Sequence, residues 1–137
     1  EDAARLNDIL GEDTIDRGAY SVDYDEFRNI YRFLQRRKER AGSEDQFVML
    51  TLHNDSMPVR GAGNLAEYLG NVVQSTLRRA DVMVRYGQNR YLVLLTGTNS
   101  ANGNIAVKRI MERWKSSDDI CGSCSIDYEM YRVSAAL

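Results

Sequence analysis

The sequence predicts an α+β domain with a ferredoxin-like βαββαβ core. This is a four-stranded, mostly antiparallel sheet with helices on one face, preceded here by an extra N-terminal helix. Three observations predict it. Two runs rich in Val, Leu and Tyr flank the residues Gly87, Gln88, Asn89 and Arg90, and apolar runs of strand length around a short Gly/Asn break read as a β-hairpin. A segment of helical periodicity separates this hairpin from an apolar run before it, and a second separates it from an alternating run after it. Each helix therefore serves as a crossover between strands of one sheet.

Taken in order, residues 2–11 carry Ala3, Leu6, Ile9 and Leu10 at helical spacing and end at Gly11. So short a stripe is marginal alone and reads as a connector that packs on a neighbour. Residues 12–22 are polar and read as a loop. Asp23 and Glu26 have the spacing of a capping box and start a helix running to about Arg40, with Phe27, Ile30, Tyr31 and Leu34 on its core face. Its end, Arg36-Arg37-Lys38-Glu39-Arg40, can be read as a nucleic-acid patch or as cations at the negative end of the helix dipole. The acidic chain and the lack of interleaved aromatics favour the dipole.

Gln46 to His53 is a nearly continuous apolar run, the pattern of a central strand covered on both faces. Residues 54–63 form a turn-rich loop with Pro58, Gly61 and Gly63. Asn64 and Glu67 again have capping-box spacing, and the helix they start carries Leu65, Leu69, Val72, Val73 and Leu77 inward, ending near Arg79. The hairpin strands are 82–86 and 91–96. A loop over 97–103 leads to a helix with Ile105, Ala106, Ile110, Met111 and Trp114 inward, and the last strand covers about 123–128. The tail to Leu137 carries no assignable pattern.

A length of 137 residues suits a single core, and 43% hydrophobic and 28% charged residues exclude a disordered chain. The organisation expected is a connector over 1–15 and one domain over 16–137. A net charge of −2 provides no field that recruits nucleic acid or an anionic membrane. No apolar run approaches the ~20 residues that span a bilayer, and the polar N-terminus is no signal peptide, so a cytoplasmic location is expected. The chain begins at Glu1 without Met, which fits a piece of a longer protein. Cys121 and Cys124 form a Cys-x-x-Cys. It reads as a redox pair, as half of a zinc site, or as two small residues at the start of a strand. The strand-like alternation that follows and the single His, His53, favour the last.

In the palm-type version of this fold, two-metal nucleotidyl transfer needs carboxylates at the end of the first strand and at the hairpin turn. The first position is Thr51 to His53, with no acid. The turn has Asn89, a neutral amide, and Arg90, a cation that repels a metal. Asp55 is a weak substitute two residues past the strand. No metal site is expected, and no cofactor.

The stretch from Arg78-x-x-Asp81 through the strand ending in Arg85-Tyr86 to Gly87-Gln88-Asn89-Arg90-Tyr91 resembles the core of the GGDEF family, the diguanylate cyclases. Their pattern is RxxD, a strand ending in Arg-Tyr, then Gly-Gly-Asp/Glu-Glu-Phe. The resemblance extends over about 110 residues, 16–128, and implies a nucleotide-cyclase-like fold. Thr51, Leu52 and His53 take the place of the family's Asp-Ile-Asp, and Ser123-Cys124-Ser125-Ile126-Asp127 resembles its Thr-x-Ser-Ile-Gly strand. Only Gly87 keeps the motif, since Gln88, Asn89, Arg90 and Tyr91 replace Gly, Asp/Glu, Glu and Phe. A Gln at position 88 crowds the backbone approach that the second Gly gives a phosphate. The loop 54–63 lacks the family's Phe-Lys-x-x-Asn and Gly-Asp segments, and its closing hairpin and helix have no recognisable counterpart in 128–137.

What the resemblance implies is a degenerate, catalytically inactive domain with no catalytic residues. It would act as an output or interaction module of bacterial signal transduction behind a sensor or receiver domain. Its partners would be other domains of the same signalling protein or a separate protein, and a homodimer is compatible with it. Arg78 and Asp81 match the family's RxxD inhibitory site, which binds cyclic di-GMP, so a cyclic di-GMP receptor is the alternative. Against that, Asp81 can simply cap the turn and Arg78 can simply be a cation at a helix end.

Overall fold

The computed structural model describes residues 2–11, 18–41, 43–54, 62–116 and 124–135. The elements are α1 (Asp2–Leu10), β1 (Tyr20–Ser21), α2 (Tyr24–Ala41), β2 (Gln46–Asn54), α3 (Ala62–Thr76), β3 (Val82–Arg85), β4 (Arg90–Leu95), α4 (Ser100–Lys115) and β5 (Cys124–Arg132). Their sheet order is β1-β3-β4-β2-β5. The four longer strands form the expected βαββαβ core, antiparallel at every contact, and β1 joins its edge parallel to β3.

The apolar run of β2 does what its pattern predicts. Val48, Leu50 and Leu52 point to one face, where they pack with residues of α3 and α4 such as Leu69, Val73, Val107 and Ile110. Phe47 and Met49 point to the other, against Phe27 and Leu34 of α2. The crossover helices α3 and α4 thus share one face as expected, while α2 covers the opposite one. Strand alternation sorts β4 the same way: Tyr91, Val93 and Leu95 face α3 and α4, and Leu92 and Leu94 face α2.

Several boundaries differ from the sequence reading. The loop expected over 12–22 contains β1, because the backbone of Tyr20 and Val22 bonds to the carbonyls of Asp81 and Met83. Helix α3 begins at Ala62, so Asn64 lies inside its first turn. Helix α4 begins at Ser100, where the Asn99 side chain accepts from the Asn102 N–H at 2.8 Å. Ile105 faces outward, half exposed, in place of the inward position expected of it, because helical spacing sets it on the opposite side from Ile110 and Trp114, and Val107 is buried instead. The last strand runs on to Arg132, since it pairs with β2 residue by residue from Asn54↔Cys124 to Gln46↔Arg132. At the N-terminus of α2, Asp23 caps as its motif predicts, with Oδ1 accepting from the Glu26 N–H at 2.8 Å. None of the nine residues of α1 is buried.

Tyr91 ties β4 to α3. Its ring is buried and its hydroxyl donates to the Ala66 carbonyl at 2.9 Å. Burial raises this phenol above its ordinary value, Arg85 opposes the shift and Glu67 adds to it. Gly70 provides the room: a Cβ there would meet the Tyr91 hydroxyl and stand 2.9 Å from its Cζ. Gly70→Ala should therefore destabilise by about 1–3 kcal/mol despite the better helix propensity of Ala. Urea denaturation should show Tyr91→Phe partly rescuing Gly70→Ala, because removing the hydroxyl vacates the clash.

Candidate functional site

The hairpin turn sits against the end of β2. Gly87 has φ 79°, the conformation for which a glycine is needed, whereas Gln88, Asn89 and Arg90 have negative φ. The Arg85 guanidinium donates to the Gln88 carbonyl at 3.0 Å, and the Tyr86 N–H donates to the Arg90 carbonyl at 2.8 Å, closing the turn. Asn89 then ties it to β2 twice. Its carbonyl accepts from the Leu52 N–H at 2.7 Å, and its side-chain Nδ2 donates to the Leu52 carbonyl at 3.2 Å.

The fold brings together the residues the sequence picked out here. Thr51 pairs with Arg90 on one side and with Asp127 on the other, so the three share a face. His53, two residues on, reaches Asp127 with Nε2–Oδ2 at 2.8 Å. Chemically this cluster is one carboxylate already paired with an imidazole, one hydroxyl, one amide turned donor-first to a carbonyl, and one guanidinium. A divalent ion of the Mg²⁺ type needs several convergent oxygens, preferably carboxylates. Among the described residues no group of three or more His, Cys, Asp or Glu is placed to hold a metal. The donor set does not fit one. Asp55, the loop 55–61 and Cys121 lie outside the described residues, and Cys124 opens β5.

The second candidate pair lies at the other end of the sheet, in the turn between α3 and β3. Asp81 is 2% exposed and its carboxylate is surrounded by donors. Oδ2 accepts from the Arg78 N–H at 3.0 Å and from Arg78 Nε at 3.4 Å, and Oδ1 accepts from Arg78 Nη2 at 3.2 Å and the Thr96 N–H at 3.3 Å. Arg78 Nη2 also donates to the Thr96 carbonyl at 2.8 Å and to Thr98 Oγ1 at 3.0 Å. The Arg78 side chain is nonetheless 61% exposed. It borders a cleft of about 260 Å³ between α3 and α4 whose walls include Thr98, Asn102, Ile105 and Arg109.

Sequence reading missed a third polar group. Asp45, fully buried just before β2, accepts at Oδ1 from Arg37 Nη2 at 2.9 Å and from the Gly97 N–H at 2.8 Å. Arg37 is thus an ion-pair partner, a role beyond that of a cation at a helix end. A lone Asp whose partners lie 8 and 52 residues away leaves no local signal. Arg109 gave none either, being one cation of an ordinary exposed helix face.

No family model and no curated protein sequence matches the chain. Solved structures do. The diguanylate cyclase SiaD of Pseudomonas aeruginosa, solved with its activator SiaC, superposes with TM-score 0.73 at 17% identity over 84% of this chain and 48% of that one. The active GGEEF domain of a diguanylate cyclase from Vibrio cholerae gives 0.70 at 12% identity, over 80% of this chain and 75% of that one. The GGDEF domain of DgcB from Caulobacter crescentus, solved with c-di-GMP, gives 0.68 at 12% identity, over 89% and 78%. This chain thus spans about half the length of SiaD. The fold is that of the GGDEF domains of diguanylate cyclases.

The two bonds between Asn89 and Leu52 make a direct prediction. Asn89→Ala, which keeps the backbone bond and removes the amide, should cost about 1 kcal/mol. Asn89→Asp, which brings back an acid, should cost at least as much, because an acceptor then faces the Leu52 carbonyl. Urea denaturation midpoints of the two variants check the order.

Proposed function

We propose that this chain is a GGDEF-like domain without cyclase activity that serves as an output or protein-interaction module in bacterial signal transduction. The observation that carries the proposal is the state of position 89. The family resemblance puts a metal-binding acid there, and in this chain an amide spends its donor on the Leu52 carbonyl. Thr51 and Arg90, opposite each other beside it, supply no carboxylate either. Two-metal phosphoryl transfer depends on such acids to hold its ions, so the reading follows from chemistry the turn lacks. A role in binding is in keeping with SiaD, which was solved with an activator protein. Helix α1, with none of its residues buried, fits a connector to a further domain.

A second reading has one observation in its favour, the cleft beside Arg78. Two guanidinium groups, Arg78 and Arg109, border it, and an anionic ligand of the cyclic di-GMP type would match their charge. The same cyclic dinucleotide is present with DgcB. What counts against a family-type clamp is that Asp81 has its carboxylate committed to Arg78 and Thr96.

Incubation with GTP and Mg²⁺ or Mn²⁺ should yield no cyclic dinucleotide, and measurable turnover would overturn the first reading. Calorimetry with cyclic di-GMP separates the second. A binding heat abolished by Arg78→Ala and weakened by Arg109→Ala supports a receptor, whereas no heat with the wild type rules it out.

A further inference from the structure

The turn Thr96-Gly97-Thr98, which joins β4 to α4, is gripped from two sides by buried aspartates. Asp45 accepts from the Gly97 N–H, and Asp81 accepts from the N–H of its neighbour Thr96. Each aspartate is also bound by an arginine: Asp45 by Arg37 of α2, and Asp81 by Arg78 of its own turn between α3 and β3. Further bonds lock the Thr96–Thr98 turn. The Thr98 N–H donates to the Glu44 carbonyl at 2.8 Å, Gln46 Nε2 donates to the Thr98 carbonyl at 3.1 Å, and Thr96 Oγ1 donates to the Ala80 carbonyl at 2.7 Å. Gly97 itself sits at φ 58°, so the turn geometry that aims both N–H groups is one that other residues rarely adopt.

We infer that this turn is a mechanical coupler between α2 and the cleft beside Arg78, with the pairs Arg37–Asp45 and Arg78–Asp81 as its two arms. The physical reason is shared occupancy. A carboxylate that is 0% or 2% exposed is costly to leave without its donors, and each aspartate takes one donor from the turn, Asp45 the Gly97 N–H and Asp81 the Thr96 N–H. Pulling Arg78 toward the cleft removes donors from Asp81 and from Thr98 Oγ1. On that side the turn then keeps only the bonds of the Thr96 N–H and Thr96 Oγ1, which loosens the aim of the Gly97 N–H toward Asp45. Arg37, which shares Asp45 Oδ1 with that N–H, feels the change, and α2 with it. Helix α2 lies on the opposite face of the sheet from α3 and α4, so the coupler links the two layers around the sheet end. The inference concerns the free protein and stands whether or not the cleft takes a ligand.

A double-mutant cycle tests it, since residues that share no partner usually add. Arg37→Gln and Arg78→Gln should each lower the urea midpoint, and the double variant should lose clearly less than the sum. Arg113 is the control, because it bonds Ser75 and Thr76 of α3 without touching the turn, and Arg37→Gln with Arg113→Gln should add. If an arginine variant fails to fold, Thr98→Val keeps the side-chain shape and removes one Arg78 acceptor together with the Thr98 hydroxyl's bond to the Thr96 carbonyl. Hydrogen exchange should then quicken in α2 residues 30–38 as well as in the turn. Additive Arg37 and Arg78 effects, or exchange in α2 that Thr98→Val leaves unchanged, overturn the coupler.

Discussion

Everything in this fold depends on one strand being enclosed on four sides. β2 is hydrogen-bonded to β4 along one edge and to β5 along the other, and its two faces are covered by α3 and α4 and by α2. A strand so placed cannot shift register without turning Leu50 or Phe47 to the wrong layer, so its ends are fixed in space. Both candidate sites are built on those ends. Leu52, near the C-terminal end, receives Asn89 and so positions the hairpin turn. Asp45 and Gln46, at the N-terminal end, receive the Gly97-Thr98 turn and so position the region around Arg78.

The two ends have opposite characters. At the hairpin end the polar residues are exposed or half-buried, and their bonds go mainly to backbone or to each other: Asn89 to Leu52, Arg85 to Gln88, His53 to Asp127. Exposed pairs of this kind contribute little to stability, typically under about 1 kcal/mol. At the other end two carboxylates are fully or nearly fully buried, and a buried carboxylate that loses its partner is costly. Substitutions at the Asp45 and Asp81 end are therefore the costlier ones. The hairpin end has the freedom to change its chemistry, and the proposed loss of cyclase activity falls there.

Much of the architecture was legible in the residues. The crossover helices follow from their period, the hairpin and the central strand from apolar runs of strand length and the Gly/Asn break, and the fold of GGDEF domains agrees with the resemblance that the motif suggested. What was not legible has a physical cause in each case. Helix α2 carries an ordinary amphipathic stripe, which says that it packs but not on which face. Tyr128 to Arg132 alternates too weakly to mark a strand alone and becomes one by pairing with β2. Ile105 is the exception, misplaced although the helical period of Ile110 and Trp114 sets Val107 on the buried face and Ile105 opposite it. Asp45 left no signal in the sequence because its role arises only when α2 and the Gly97 turn converge on it.

The proposed function rests on the turn Gly87–Arg90, whose donor set does not fit a divalent ion. Paramagnetic line broadening measures this directly. Amide resonances of the protein titrated with Mn²⁺ should show no selective loss at Thr51, Gly87, Gln88, Asn89 or Arg90 relative to the rest of the surface. Selective broadening of those resonances at micromolar Mn²⁺, saturating with one or two ions, would contradict it.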